Sequence, residues 1–244
     1  DVNVSMNPLS GDFTGNLVPG IQHINDIKIK DNNGISEVYV AAGESFYGDA
    51  NSTTYLGGPE LGLYKSIDQG DSWTELNMPL TASGKKHEPN DIEVGADGKI
   101  WVSTISSSIY GEGGGKVFSS EDGETFTNAY TLEGANRTQI AVSSQDADKV
   151  YILAQISEGV AMEVTTDGFA TGTSDMALPN DADTGISATD FTRGQAFYDL
   201  MLEVDPTDDD VIYSGGIDLF KSENSGTSWN QFTHWYACFG YQYA

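Results

Sequence analysis

Four times along the chain an alternating apolar hairpin is followed by a short third apolar run and then a small acidic turn. The hairpins read NDIKIK-DNNG-ISEVYVAA (25–42), NDIEVG-ADGK-IWVSTI (90–105), QIAVSS-QDAD-KVYILAQ (139–155) and DLMLEV-DPTDD-DVIYSGG (199–216). Alternating apolar residues on either side of an Asn-Gly, Asp-Gly or Asp/Pro turn mark paired antiparallel strands. The third runs are GLYKS (62–66), KVFSS (116–120), AMEVT (161–165) and DLFKS (218–222). The acidic turns read SIDQGDSW (66–73), SSEDGETF (119–126), TTDGF (165–169) and SENSGTSW (222–229), and their starts at 66, 119, 165 and 222 differ by 53, 46 and 57 residues. Each unit is therefore strand, tight turn, strand, loop, strand, acidic turn, strand.

Four-stranded antiparallel sheets repeated at this period are the blades of a β-propeller. A solenoid is the rival architecture, but its units are usually shorter or helical. The fold expected is all-β, with no helix of consequence. Blades are assigned to residues 21–80, 81–130, 131–175 and 176–235. Residues 1–20 read as the end of a preceding blade or a lead-in loop, and 236–244 as the approach to a further blade. The chain opens at Asp1 with neither Met nor an apolar leader, which reads as a mature product or an excised piece.

A net charge of −26, from 37 acidic and 11 basic residues, would repel nucleic-acid phosphates and anionic lipids. Nucleic acid is therefore set aside as a partner. No run approaches the ~18 apolar residues of a membrane span, so membrane insertion is set aside too. With one cysteine, Cys238, an internal disulfide and a multi-cysteine zinc site are both excluded.

The pattern Ser-x-Asp-x-Gly-x-x-Trp resembles the Asp-box, or BNR repeat, of sialidases, xyloglucanase-type hydrolases and sortilin-like receptors. Ser66, Asp68, Gly70 and Trp73 match it at all four positions. Ser222, Asn224, Gly226 and Trp229 carry Asn for Asp; Ser119, Glu121, Gly123 and Phe126 carry Glu and Phe. The copy at 165–169 reads as one residue short. A short polar side chain in such a turn accepts hydrogen bonds from free backbone N–H groups. Asn224 would do this as well as Asp68, whereas a general acid could not be replaced by Asn. These residues are therefore expected to brace a turn, and the resemblance implies that such turns lie on the outer rim, away from any ligand. Residues 197–235 also resemble large exported propeller proteins of Bacteroidetes-type bacteria, many of which end in a type IX secretion sorting domain, and Asp205–Gly216 resembles xyloglucanase-type propellers. Propellers of this kind usually have more than four blades, so the chain is expected to be part of a larger one.

Ligands of a propeller are expected where loops lead into the innermost strand and join the second and third strands. Aligning the repeats places Asp26, Asp91, Gln139 and Asp199 at one position near the start of each innermost strand. His23, His87, Arg137, Arg193 and Tyr198 lie near them, and His234 further on. Two readings stand: the aspartates cap strand N–H groups, or they line a carbohydrate or cation site. Tyr47, Tyr55 and Tyr110, in the long loops, are candidates for stacking on sugar rings. Asp181 and Asp183 in NDADTG (180–185) suggest an oxygen-rich calcium loop but lack its acidic twelfth position, so they read as a plain loop.

The sialidase resemblance implies three arginines around the substrate, and the chain has two, Arg137 and Arg193. A glycosidase needs two carboxylates about 5–10 Å apart, and the sequence selects no pair. The reading is an exported, carbohydrate-associated propeller, secreted or on the outer cell surface, binding glycan or other proteins. It acts as a binding scaffold or as part of a glycosyl hydrolase-like protein, with no cofactor required and calcium possible. The alternative is a non-catalytic surface protein or type IX secretion cargo whose propeller binds protein.

Overall fold

The computed structural model describes residues 24–43, 61–107, 110–183 and 185–235. They form four antiparallel sheets of four strands each, in chain order within every sheet. The first holds β1 (Ile24–Asn32), β2 (Ile35–Ala42), β3 (Gly62–Ser66) and β4 (Thr74–Glu75). The second holds β5 (Glu88–Val94), β6 (Ile100–Ile105), β7 (Lys116–Ser120) and β8 (Thr127–Thr131). The third holds β9 (Thr138–Val142), β10 (Val150–Ile156), β11 (Gly159–Thr165) and β12 (Ser174–Asp175). After α1 (Ala196–Asp199), the fourth holds β13 (Met201–Asp205), β14 (Asp208–Gly215), β15 (Leu219–Ser222) and β16 (Asn230–Gln231). Contacts divide the chain into two units, residues 1–94 with 98–128 and residues 95–97 with 129–244.

Local chemistry sets the hairpins. Asn33 and Gly34 both take positive φ, 54° and 86°, as a two-residue hairpin turn demands. The Gly34 amide donates to Asp31 Oδ1 at 2.9 Å, closing that turn. Alternation then decides which side chains meet. In the first unit Tyr39, Ala41 and Leu63 of one sheet pack against Ile92, Val102 and Phe118 of the next. In the second, Tyr151, Leu153 and Met162 pack against Leu202, Ile212 and Phe220. Burying a large apolar side chain is worth about 1.5–3 kcal/mol, so these layers between sheets hold each unit together.

The ladders correct two alignments made from the sequence. Val38, Ile100, Val150 and Ile212 pair with Ile29, Val94, Val142 and Val204. Three residues upstream of these partners stand Asp26, Asp91, Gln139 and Met201, so Asp199 is not the fourth equivalent aspartate. It lies two residues earlier, in α1, and the hairpin begins at Met201. On their other side the same four residues pair with Ser66, Ser120, Thr165 and Ser222. The second acidic turn thus starts at Ser120 and has its acid at Asp122, in place of Ser119 and Glu121. Glu121 points outward to Lys99 at 3.0 Å.

Candidate functional site

Each sheet has two ends. The acidic turns, joining third and fourth strands, lie at the end that also carries the β1–β2 type hairpin. At the opposite end lie the connections between second and third strands, with the segments that lead into and out of the sheet.

At the turn end Asp68, Asp122, Asp167 and Asn224 each accept hydrogen bonds from the backbone. Ser66 Oγ donates to Asp68 Oδ1 at 2.8 Å and accepts from the Gly70 amide at 2.9 Å. Asp68 Oδ1 then accepts from the Ser72 amide at 2.9 Å. The fourth turn repeats this with Ser222, Asn224, Gly226 and Ser228. The third turn does too, with Thr165, Asp167, Phe169 and Thr171. It is therefore not short: Phe169, at φ 71°, holds the place of Gly70 and Gly226 and stacks on Tyr130 with centroids 5.0 Å apart. The shortened turn is the second, where Asp122 Oδ1 accepts from the amides of Glu124 and Thr125 at 2.9 and 2.7 Å. Those amides hold Asp122 down to about 2. The Ser72 hydroxyl and amide hold Asp68 below its ordinary value.

The loop-end candidates named from the sequence do not form one set. Asp26 Oδ2 accepts from the Ile92 amide at 2.9 Å, and Asn25 Nδ2 donates to the Pro89 carbonyl at 2.8 Å. This pair ties the innermost strands of the first two sheets together. Asp91 is buried opposite Ser103, and Gln139 pairs with Leu153. His87 is a packed core residue: it is 6% exposed, its Nδ1 lies 3.0 Å from the Gly113 carbonyl, and its ring meets Phe118 edge-on. Burial pushes its pKa down. Arg137, Tyr198 and Asp199 do come together. Arg137 Nη1 donates to the Phe197 and Tyr198 carbonyls at 2.9 and 2.7 Å, and burial raises Asp199 to about 6 despite the Arg137 charge. Tyr110 is half exposed, with the Lys85 ammonium 4.7 Å from its ring centre. His23, Tyr47, Tyr55, Cys238 and segments 1–20 and 236–244 lie outside the described residues.

The most developed charged group at this end is centred on Arg193. Its loop is fixed in two ways. Phe191 is fully buried against Phe220, with centroids 5.3 Å apart, and Asp190 accepts from the amides of Thr192 and Gly194. Arg193 itself takes φ 57° in that turn, a conformation uncommon outside glycine. Its Nη2 donates to Asp181, Asp183 and Asp218 at 2.6, 2.8 and 2.8 Å, and its Nε to Asp181 at 3.0 Å. The carboxylates come from two places: Asp181 and Asp183 from the segment after β12, Asp218 from the β14–β15 connection. The segment after β16 closes the group. Gln231 Nε2 reaches Asp181 at 3.4 Å, Thr233 Oγ1 donates to Asp218 at 3.3 Å, and His234 Nδ1 stands 4.0 Å from Asp183. The Trp235 ring, 61% exposed, has its centre 5.9 Å from the guanidinium carbon.

Three carboxylates against one guanidinium leave a net charge of −2, so the group is strongly polarised. Burial pushes the Asp218 carboxyl up, with repulsion from Asp181 adding to it and Arg193 opposing. Burial works against the Arg193 charge, but the hydrogen bonds it donates to Asp181 and Asp183 raise its pKa above the ordinary value. Among the described residues the hydrogen bonds of the guanidinium run from Nε and Nη2. The three aspartates lie close enough to share a cation, yet Arg193 already occupies their centre. Sequence reasoning named Arg193, Asp181, Asp183 and His234 but missed Asp218 and Trp235. Nothing in the order of residues ties Asp218, 35 residues after Asp183, to that loop.

No protein-family model matches the sequence, and neither does any curated protein. Solved structures do match. The GH74 enzyme of Niastella koreensis has 16% identity and a TM-score of 0.58, covering 85% of this chain and 31% of that one. An auxiliary nutrient binding protein from Bacteroides ovatus has 11% identity and a TM-score of 0.54, covering 87% and 42%. An ancestral GH74 enzyme has 14% identity and a TM-score of 0.50, covering 85% and 25%. The four sheets are blades of a partial β-propeller. The chain spans well under half the length of these structures, and at such identities the likeness shows the fold alone. Among the described residues no helix is long and apolar enough to cross a membrane.

Proposed function

We propose that this is an exported carbohydrate-binding propeller whose binding group is centred on Arg193 at the loop end of the fourth blade. The observation that carries the reading is the placement of the exposed Trp235 ring beside Arg193, Asp183 and His234. A sugar offers a face of C–H bonds for an aromatic ring and hydroxyls that both donate and accept. Trp235 supplies the ring, Arg193 Nη1 the donor, and Asp183 the acceptor. The group also lies at the end of the blade away from the acidic turns, where propeller loops are free to vary. The names of two propellers of similar fold, a GH74 enzyme and a nutrient binding protein, are compatible with this reading.

The test is binding of soluble oligosaccharides by calorimetry, after a glycan array has identified a binder. Trp235→Ala should weaken binding at least about fivefold, since loss of one stacked aromatic anchor costs more than about 1 kcal/mol. Asp68→Ala should leave it unchanged. Unaltered affinity in the Trp235 variant would sink the assignment of the site.

A further inference from the structure

Charge at the Arg193 group is unbalanced, and the other basic side chains of this sequence do not balance it. Asp181, Asp183 and Asp218 share one guanidinium, which leaves −2 with all three ionised. Burial pushes the Asp218 carboxyl up, yet with that carboxyl protonated the group still carries −1. All 11 lysines and arginines of the sequence lie among the described residues, so segments 1–23, 44–60 and 236–244 hold no Lys or Arg to bring to it. In the same unit Arg137 is engaged with the Phe197 and Tyr198 carbonyls, Lys149 with Asp209 and Asp210, and Lys221 with Glu223. In the other unit Lys28, Lys65, Lys86 and Lys99 each sit on a glutamate.

The unbalanced charge is presented at one carboxylate. The side chains of Asp181 and Asp218 are 0% and 1% exposed, whereas that of Asp183 is 19% exposed. Asp183 Oδ2 takes the Arg193 bond, and its Oδ1 stands 4.0 Å from His234 Nδ1, beyond hydrogen-bond length. The Trp235 ring flanks the same guanidinium, and the face of an indole attracts cations. A ligand at this group therefore meets carboxylate oxygen and a negative ring face together. An ammonium gains from both, and a carboxylate or sulfate is repelled by both. Arg193 is already shared among three carboxylates, so an anionic ligand finds no uncompensated positive charge there.

We propose that the Arg193 group selects amino sugars, seating their ammonium against Asp183 and Trp235, and rejects uronic-acid and sulfated glycans. This rests on the carbohydrate reading above and names the class of sugar that the same site takes. A neutral sugar satisfies the ring and an acceptor but leaves the charge unanswered. N-acetylation removes the ammonium charge and keeps the sugar ring, so an amine compared with its acetamide isolates the electrostatic part.

The experiment is calorimetric titration of the full chain near neutral pH with a glucosamine tetramer, its N-acetylated counterpart and a galacturonic acid tetramer. The amine should bind at least about tenfold tighter than the acetamide, and the uronate should not bind detectably. Raising sodium chloride from about 0.1 M to about 1 M should shrink that preference, because the screening length falls from about 10 Å to about 3 Å. Asp183→Asn should bring amine and acetamide within about twofold of each other, with circular dichroism unchanged, while Trp235→Ala weakens both. A preference that survives Asp183→Asn would overturn the inference, since it would then come from the −26 charge of the whole chain. Tighter, Trp235-dependent binding of the acetamide or the uronate would also overturn it and leave the carbohydrate reading standing. Binding of no oligosaccharide of any charge would overturn that reading, and the inference with it.

Discussion

The two ends of the blades use the same side chains for opposite purposes. At the turn end, Asp68, Asp122 and Asp167 face backbone amides and hydroxyls, and all three carboxyls are held below their ordinary range. At the loop end, burial pushes Asp199 up to about 6 and raises Asp218 as well. Amide donors stabilise a carboxylate in place, at the cost of any further chemistry. A buried carboxyl short of donors, as Asp199 is, keeps unused hydrogen-bonding capacity and titrates nearer neutral pH. The residue type says little here; the supply of donors decides the role.

Removing the counter-charge from the loop-end group should have the largest effect. Asp181 and Asp218 are 0% and 1% exposed, so Arg193→Ala leaves two buried carboxylates facing each other. The expected loss is about 3–5 kcal/mol in chemical denaturation, the usual cost of breaking a buried pair. Arg193→Lys should recover part of it, because an ammonium restores the charge but not the fork. A loss below about 1 kcal/mol in the alanine variant would mean that the group is solvated in solution.

At the turn end the corresponding change is smaller. Ser66 is buried and takes the amides of Asp68 and Gly70, so Ser66→Ala should cost about 1–3 kcal/mol through unpaired donors. Glycan affinity should not move.

The two ends also separate by pH. Asp199 has a folded pKa of about 6, above its unfolded value, so its protonation favours the folded state. That contribution is complete below the unfolded value of about 3.8 and is lost as pH rises through 6. Asp199→Asn should therefore raise Tm at about pH 8 and change it little at about pH 4. Asp122 has its pKa depressed to about 2, so its contribution is present above the unfolded value and lost as pH falls toward 2. Asp122→Asn should lower Tm near neutrality, and the deficit should shrink in acid. The same sign of pH dependence in both variants would erase the distinction between the ends.

The smallest effect is expected at Asn224. Asn224 and Asp68 accept the same amide and meet the same serine, Ser228 or Ser72, with only the direction of the hydroxyl bond reversed. Asn224→Asp should change stability by no more than about 0.5 kcal/mol. A larger shift would show that the turns are not interchangeable.

How much of this was legible in the sequence follows from range. The hairpins were readable because alternation and Asn-Gly or Asp-Gly turns are local, and the blade period follows from their spacing. Register was less legible. Both Ser119 and Ser120 satisfy the pattern by eye, and the β6–β7 ladder alone shows that Ser120 holds the turn. Likewise TTDGF looks truncated because Phe169 stands where the other turns place glycine, although its hydrogen bonds are complete. Asp199 was misaligned because α1 inserts a helical turn before β13 that no alternation announces. The Arg193 group was the least legible, since four separate segments build it and only folding brings Asp181, Asp218 and Trp235 to one guanidinium.

The most direct test of the loop-end assignment is a crystal structure with an oligosaccharide soaked in from the binding screen. The sugar should lie on the Trp235 ring with a hydroxyl within hydrogen-bond distance of Arg193 Nη1 and another facing Asp183. A sugar seated at the turn end, against Trp73 or Trp229, would contradict the account.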